Sequence, residues 1–254
     1  MRVRILASSL DDPQNTQFLT SFVINDSVAI DAGCAGFRGQ PAEQARIKHV
    51  FLTHSHADHV CSLPMLVTNA HEERGGAVDV YGHDHVLQSL RADVFNGRLW
   101  PDLLQMSENG TPFMRLQLLE SEQPVVVDGL RITPVFVHHV IPTFGYIVED
   151  EDAAVVLCSD TGPTERIWQV ARATPNLKAL FLGASFPDEM AELAGVAAHL
   201  TPRLFGGEVA KLAKDIDIIA VHIKPGHRNQ VARQLEELGL ERLQIGLGGH
   251  EYRF

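Results

Sequence analysis

The sequence predicts an α/β protein in which two β-sheets pack face to face between outer helices. Short apolar runs gather into two clusters along the chain, and helical segments follow each cluster. Length points the same way. With 254 residues and no linker-like or low-complexity stretch, the chain can bury a substantial core, so residues 1–254 are expected to form one domain.

The first cluster opens with three strand-like runs, RVRIL, TSFVIN and SVAIDAG, the last two separated by Asn25 and Asp26, a hairpin signal. PAEQARI follows as a short helix with Pro41 in its first turn, and HVFLT as a buried strand. AVDVYG reads as a further strand and HDHVLQSLRADVF as a helix. The second cluster, QPVVVDGLRITPVFVHH, folds as a hairpin around Asp128 and Gly129, and FGYIVEDEDAAVVLCSD repeats that pattern around Glu149 to Asp152. After it RIWQVARA, ALFLGAS, PRLFGGEVAKLAK, IIAVHI and QVARQLEELG alternate helix with strand. No short repeat is visible, although the two halves are compatible with a coarse internal relationship.

A net charge of −11, from 21 basic and 32 acidic residues, has the wrong sign for a chain that grips nucleic acid mainly by neutralising phosphates. Stable nucleic-acid binding is therefore not expected. Cys34, Cys61 and Cys158 are few, odd in number and widely spaced, which suits a reducing compartment and three unpaired thiols. The opening MRVRILASSLDDPQNTQ turns polar too early for a signal peptide, and no apolar run approaches the ~20 residues that span a bilayer. A soluble, cytoplasmic protein without membrane attachment is expected.

The chemistry is concentrated in VFLTHSHADHV, Val50 to Val60. On an extended segment His54 and His56, two residues apart, project to one side and can share an ion. Asp58 and His59 fall where the chain turns into a helix and can face a neighbouring position. Imidazole nitrogen and carboxylate oxygen suit borderline divalent ions, and two such ions side by side form a hydrolytic clamp. The spacing predicts a dinuclear site.

H-x-H-x-D-H after a strand resembles the signature of the metallo-β-lactamase fold superfamily, and the resemblance runs over nearly the whole chain. It implies a four-layer αββα sandwich. SVAIDAG resembles the family's early strand ending in an aspartate, here Asp31, which implies support of the metal loop from behind. HHVIPTFGYIVED resembles the third motif of the phosphodiesterase and RNase Z branches, in which the histidine seven residues before the tyrosine binds metal; that position is His139 and not His138. VVLCSDTGPT resembles the fourth motif, with Asp160 bridging both ions, and IIAVHIKP the fifth, with His222 as the last ligand. The resemblance thus implies one ion on His54, His56 and His139 and another on Asp58, His59 and His222. Zinc is the first expectation for both, with iron or manganese as alternatives. Surface or structural roles are expected for His138, His227 and His250.

Within the superfamily, LRADVFNGRLWPDL, ASFPDEMAELAGVAAHLTPRLFGGEVAKLA, and the ending HIKPGHRNQVARQLEELG with GGHEYRF are similar to class II cyclic-nucleotide phosphodiesterases. That implies hydrolysis of a small-molecule 3′,5′-cyclic nucleotide, cyclic AMP or cyclic GMP, to its 5′-monophosphate. A hydroxide bridging the two ions would attack phosphorus in line with the 3′ oxygen. Asp58, Asp160 and His199 form the implied catalytic set, His199 stabilising or protonating the departing oxygen. Thr201 and Pro202 also suit a helix start beside it. No nucleotide-contacting residue is identified, and a homodimer is left open. The chain departs from the family at Gly183, where a glutamate is common, which bears on how well His199 is assisted. It departs again at Cys61 and Ser62, where a glycine often follows the metal motif. Two alternatives remain: an RNase Z-like nuclease, whose glycine- and lysine-rich arm has no counterpart here, and a non-hydrolytic diiron oxygen-binding protein of the same fold.

Overall fold

The computed structural model of the chain describes residues 1–8, 17–110 and 112–254. Residues 9–16, part of the N-terminal stretch weighed as a signal peptide, lie outside the described residues. Strands β1 (Arg2–Ile5), β2 (Phe22–Ile24), β3 (Val28–Ile30), β4 (His49–Phe51), β5 (Val78–Gly82) and β6 (Met114–Leu118) belong to one sheet. The second sheet contains β7 (Val125–Val127), β8 (Leu130–Val137), β9 (Thr143–Glu149), β10 (Ala154–Cys158), β11 (Leu177–Gly183), β12 (Asp217–Val221) and β13 (Leu243–Ile245). The last strand, β14 (Glu251–Arg253), returns to pair with β1, so the first sheet runs β14-β1-β2-β3-β4-β5-β6 and the second β13 through β7 in descending order. Each sheet joins three antiparallel pairings to three parallel ones.

The hairpins form where the turn residues predict them. Asn25 (φ 47°) and Asp26 (φ 66°) both take left-handed backbone, and the Ser27 N–H donates to Ile24 O at 3.2 Å. Asp128 (φ 45°) and Gly129 (φ 79°) repeat the geometry between β7 and β8. Both turns match the twist of the strands they connect.

Strand alternation divides the apolar residues among three layers of packing. Between the sheets, Phe51 stacks on Tyr81 at 4.3 Å, and Phe22 of the first sheet meets Phe181 of the second edge-on at 5.8 Å. Val50, Leu52 and Val80 face outward against Leu63, Leu66 and Val67 of the helix Leu63–Arg74. On the other side Val156, Leu180 and Ile218 pack with Trp168, Phe205 and Leu235 from three helices. Full burial of each large side chain stabilises the fold by roughly 1.5–3 kcal/mol. The architecture is the predicted helix–sheet–sheet–helix sandwich.

One polar tie crosses the core where the chemistry begins. The buried Tyr146 hydroxyl on β9 donates to Leu52 O at 2.6 Å, and the Phe144 N–H donates to Thr53 O at 3.1 Å. The second sheet thereby grips the segment leaving β4, just before His54.

Candidate metal centre

The C-terminal ends of β3, β4, β8, β10 and β12 open onto one edge of the sandwich, and each delivers a predicted residue there: Asp31, the His54–His59 run, His139, Asp160 and His222. The segment after β4 stays extended to His56 (φ −62°, ψ 146°), then enters the helical turn Ala57–Val60 that carries Asp58 and His59. Three non-glycine residues here take left-handed backbone, Asp31 (φ 60°), Ala198 (φ 51°) and His222 (φ 53°). Such conformations cost about 1–3 kcal/mol each and persist only where surrounding contacts enforce them.

The nitrogens and oxygens converge in overlapping groups. His54, His56 and His139 offer ligand atoms within 4.8 Å of one another; so do Asp58, His59 and His222, and so do His54, His59 and Asp160. His54 Nε2 lies 2.9 Å from His56 Nδ1, which lies 3.4 Å from His139 Nε2. Asp160 stands between the groups, Oδ1 3.4 Å from His59 Nε2 and Oδ2 3.3 Å from His222 Nε2. His138, by contrast, is exposed and outside these groups.

Contacts behind the rings decide which nitrogen faces inward. His54 Nδ1 contacts Thr53 Oγ1 at 2.9 Å, His59 Nδ1 contacts Asp31 Oδ2 at 2.7 Å, His139 Nδ1 contacts Ala198 O at 3.1 Å, and His222 Nδ1 contacts Thr20 Oγ1 at 3.1 Å. With the Nδ1 proton of His54, His59 and His139 donated outward, Nε2 of each presents a lone pair to the centre, and the Thr20 contact holds the His222 ring with its Nε2 on the same side. Asp31 accepts both the Thr53 N–H at 2.8 Å and its hydroxyl at 2.9 Å, so one buried carboxylate organises two rings through Thr53. Gly33 allows this closeness: a Cβ there would lie 2.0 Å from Asp58 O. Behind Asp160, buried Glu208 accepts the Thr164 N–H at 3.1 Å and Trp168 Nε1–H at 2.7 Å, anchoring the loop that follows.

Electrostatics within the side chains follow from burial and carboxylate proximity. Burial pushes His54 well below the ordinary imidazole value and lowers His56 too. Burial alone would lower His59, but Asp160 and Asp31 hold it well above. Burial would likewise raise Asp160; the surrounding histidines, His222 and His59 foremost, instead hold it well below the usual carboxylate range. At the centre two buried atoms nevertheless have no hydrogen-bond partner among the described residues, His59 Nε2 and Asp160 Oδ1, and they face each other. Unpaired buried polar atoms are costly, so this pair marks where a cation fits. Imidazoles and carboxylates are the donor set for a divalent metal.

His199 joins the cluster from the entrance of the helix Pro202–Leu212. Its ring stacks on His222 at 5.5 Å and meets His139 edge-on at 5.1 Å. Thr201 holds the N-cap position, but its side chain makes no capping bond. His199 Nδ1 lies 3.1 Å from Ser185 Oγ, so a hydroxyl stands where the sequence raised the question of a missing glutamate. Gly183 could not hold that residue: a Cβ there would lie 1.7 Å from Ser159 O. Cys61 uses its thiol locally, donating to Gly33 O at 3.0 Å. In the FNGRLWP segment Phe95 and Trp100 join the layer outside the first sheet, and Asn96 Oδ1 accepts two backbone N–H groups. Thr20, Thr53, Ser185 and Lys224 are site residues that the sequence did not single out.

A family model described as a beta-lactamase superfamily domain matches residues 26–227. The 3′,5′-cyclic-nucleotide phosphodiesterase 1 of Saccharomyces cerevisiae is 26% identical over 252 residues, covering 80% of this chain and 66% of the yeast protein. The crystal structure of unliganded yeast PDE1 superposes with a TM-score of 0.78 at 18% identity, covering 98% of both chains. Ribonuclease Z of Borrelia duttonii is 24% identical over 161 residues, 59% of this chain and 48% of that protein. The chain therefore matches just under two thirds of the length of the yeast relative and about half that of the Borrelia one. The fold is also that of the metallo-beta-lactamase fold protein YhfI from Bacillus subtilis, with a TM-score of 0.74 at 17% identity over 99% of this chain and 98% of that one.

Proposed function

This chain belongs to the β-lactamase superfamily, and on that premise we propose that it is a dinuclear-metal phosphodiesterase hydrolysing 3′,5′-cyclic nucleotides to 5′-monophosphates. The observation that carries the metal assignment is the facing pair of unpartnered buried atoms, His59 Nε2 and Asp160 Oδ1, at the meeting point of the ligand groups. His54, His56 and His139 hold one ion, Asp58, His59 and His222 the other, and Asp160 lies between. Zinc suits this donor set, and iron and manganese also accept it. The substrate reading rests on the 26% identity to a yeast cyclic-nucleotide phosphodiesterase across 80% of the chain.

Bound divalent ions supply Lewis-acid polarisation of the phosphoryl oxygens and make water a competent nucleophile near neutral pH. The protein's own part is orientation. Asp31, Thr53, Ala198 and Thr20 fix the rings before substrate arrives, so little reorganisation accompanies the reaction. Burial pushes His199 down to about 4, so at neutral pH its ring is uncharged. The Ser185 hydroxyl can then donate to Nδ1 and leave Nε2–H to stabilise the departing 3′ oxygen.

A second reading, an RNase Z-like nuclease, is favoured by the Borrelia match, but the net charge of −11 opposes broad contact with RNA. Metal-replete protein incubated with cyclic AMP and cyclic GMP separates the two. Release of 5′-monophosphate is expected; no product above background, together with cleavage of a tRNA precursor, would reverse the order.

A further inference from the structure

Lys224 is a charged residue at the centre that the metal assignment leaves unused. Its Nζ lies 3.3 Å from His222 Nε2 and 3.8 Å from Asp58 Oδ2. The second distance is too long for a hydrogen bond, and the first is to a nitrogen that the Asp58, His59 and His222 group would give to a metal. With His222 Nε2 given to a metal, the ammonium would have three donors and, among the described residues, no hydrogen-bond acceptor left. The backbone beneath it is held from both sides: the Lys224 N–H donates to Ser185 O at 3.2 Å, and its carbonyl accepts the His227 N–H at 2.9 Å. Pro225 stiffens the turn that follows. The side chain itself is 36% exposed, so its head can meet both the centre and a ligand arriving from solvent.

We infer that Lys224 binds a non-bridging phosphoryl oxygen of the substrate and makes this centre selective for anionic phosphoryl compounds. The inference rests on the phosphodiesterase reading and adds the residue that recognises the phosphate. A mobile cation on a fixed stem suits that task, because a phosphodiester brings the oxygen acceptors that the ammonium lacks. Asp58, 3.8 Å away, orients the ammonium by charge without consuming its donors.

Wild-type protein, Lys224→Gln and Lys224→Arg, each metal-replete and with metal content measured, are titrated calorimetrically with inorganic phosphate. Lys224→Gln is expected to retain its metal and bind phosphate about 10- to 100-fold more weakly, with Lys224→Arg restoring most of the affinity. Equal phosphate affinity in wild type and Lys224→Gln overturns the inference, as does an absence of phosphate binding by wild type. Metal loss from Lys224→Gln overturns it too, by making the lysine part of the ion-holding frame. Cyclic AMP turnover is followed on the same samples. Protein that binds phosphate through Lys224 yet leaves cyclic AMP intact would sink the cyclic-nucleotide reading and leave the phosphoryl site standing.

Discussion

His59 and Asp31 are in contact at 2.7 Å, Nδ1 to Oδ2, with neither side chain exposed to solvent. The contact sets the His59 proton on the far side of the ring and turns Nε2 toward Asp160. Asp31 is itself held by Thr53, at a left-handed backbone position that follows β3. A carboxylate outside the candidate ligand groups therefore governs the histidine that two of them share.

Replacing that carboxylate with an amide tests the arrangement. Asp31→Asn preserves shape but weakens the pull on His59 Nδ1–H, so metal affinity should fall about 10- to 100-fold. Competition with a chromophoric chelator measures it. Wild-type affinity in the variant would mean that the ring is oriented by something else.

Introducing at position 183 the glutamate that the family resemblance leads one to expect should harm this chain. A Cβ at position 183 would lie 1.7 Å from Ser159 O and 2.8 Å from Ser159 C, next to Asp160. Gly183→Ala and Gly183→Glu should each destabilise by about 3 kcal/mol in urea denaturation and reduce metal retention. A change below ~1 kcal/mol would show that the β10–β11 spacing yields easily.

Acid should destabilise the chelator-treated protein. Burial lowers His54 and His56 and pushes His222 down to about 3 and His199 to about 4, whereas each titrates near 6.5 when unfolded. As pH falls below 6.5 the unfolded chain binds more protons at these four rings, and stability drops. His59 opposes this: raised by Asp160 and Asp31 against its burial, it contributes fully below 6.5 and loses its contribution as pH rises through its folded value. Asp31, raised by burial, also favours the acid side. His49 is lowered by burial as well, so with five rings against two groups Tm should fall by ~5 °C or more between pH 7 and pH 5. A constant or rising Tm would contradict the balance.

The choice between adjacent histidines is separately testable. His139→Ala and His56→Ala should each reduce cyclic-nucleotide hydrolysis to background, since their nitrogens lie 3.4 Å apart in one ligand group. His138→Ala should stay within ~3-fold of wild type, as expected for an exposed side chain outside the groups. Equal losses at positions 138 and 139 would undo the assignment.

Much of this was legible because the strands carry dense apolar runs and the H-x-H-x-D-H cluster needs no tertiary context to be seen. Other elements gave little signal. β14 is three residues with charged ends, and it becomes a strand because Tyr252 pairs opposite Val3 on β1, far away in sequence. β6 and β13 lie at sheet edges and alternate only weakly. In the helix Leu63–Arg74, Leu63, Leu66, Val67 and Ala70 keep helical spacing, but Pro64 and the preceding histidine run obscure its start. Thr20, Thr53 and Ser185 were invisible for a different reason: a threonine or serine becomes significant only through the ring it touches. Lys224, two residues after His222, was the one unread residue whose position in the sequence offered a clue. FNGRLWP, which resembles a phosphodiesterase segment, is anchored by Phe95 and Trp100, which find apolar partners outside the first sheet.

The central claim is that two cations sit side by side with Asp160 between them, and metal stoichiometry tests it most directly. Elemental analysis of protein saturated with zinc and freed of loose metal should give about two ions per chain for wild type and markedly fewer for Asp160→Ala. A folded wild-type protein that retains no metal, or an Asp160→Ala variant that retains the full complement, would contradict the account.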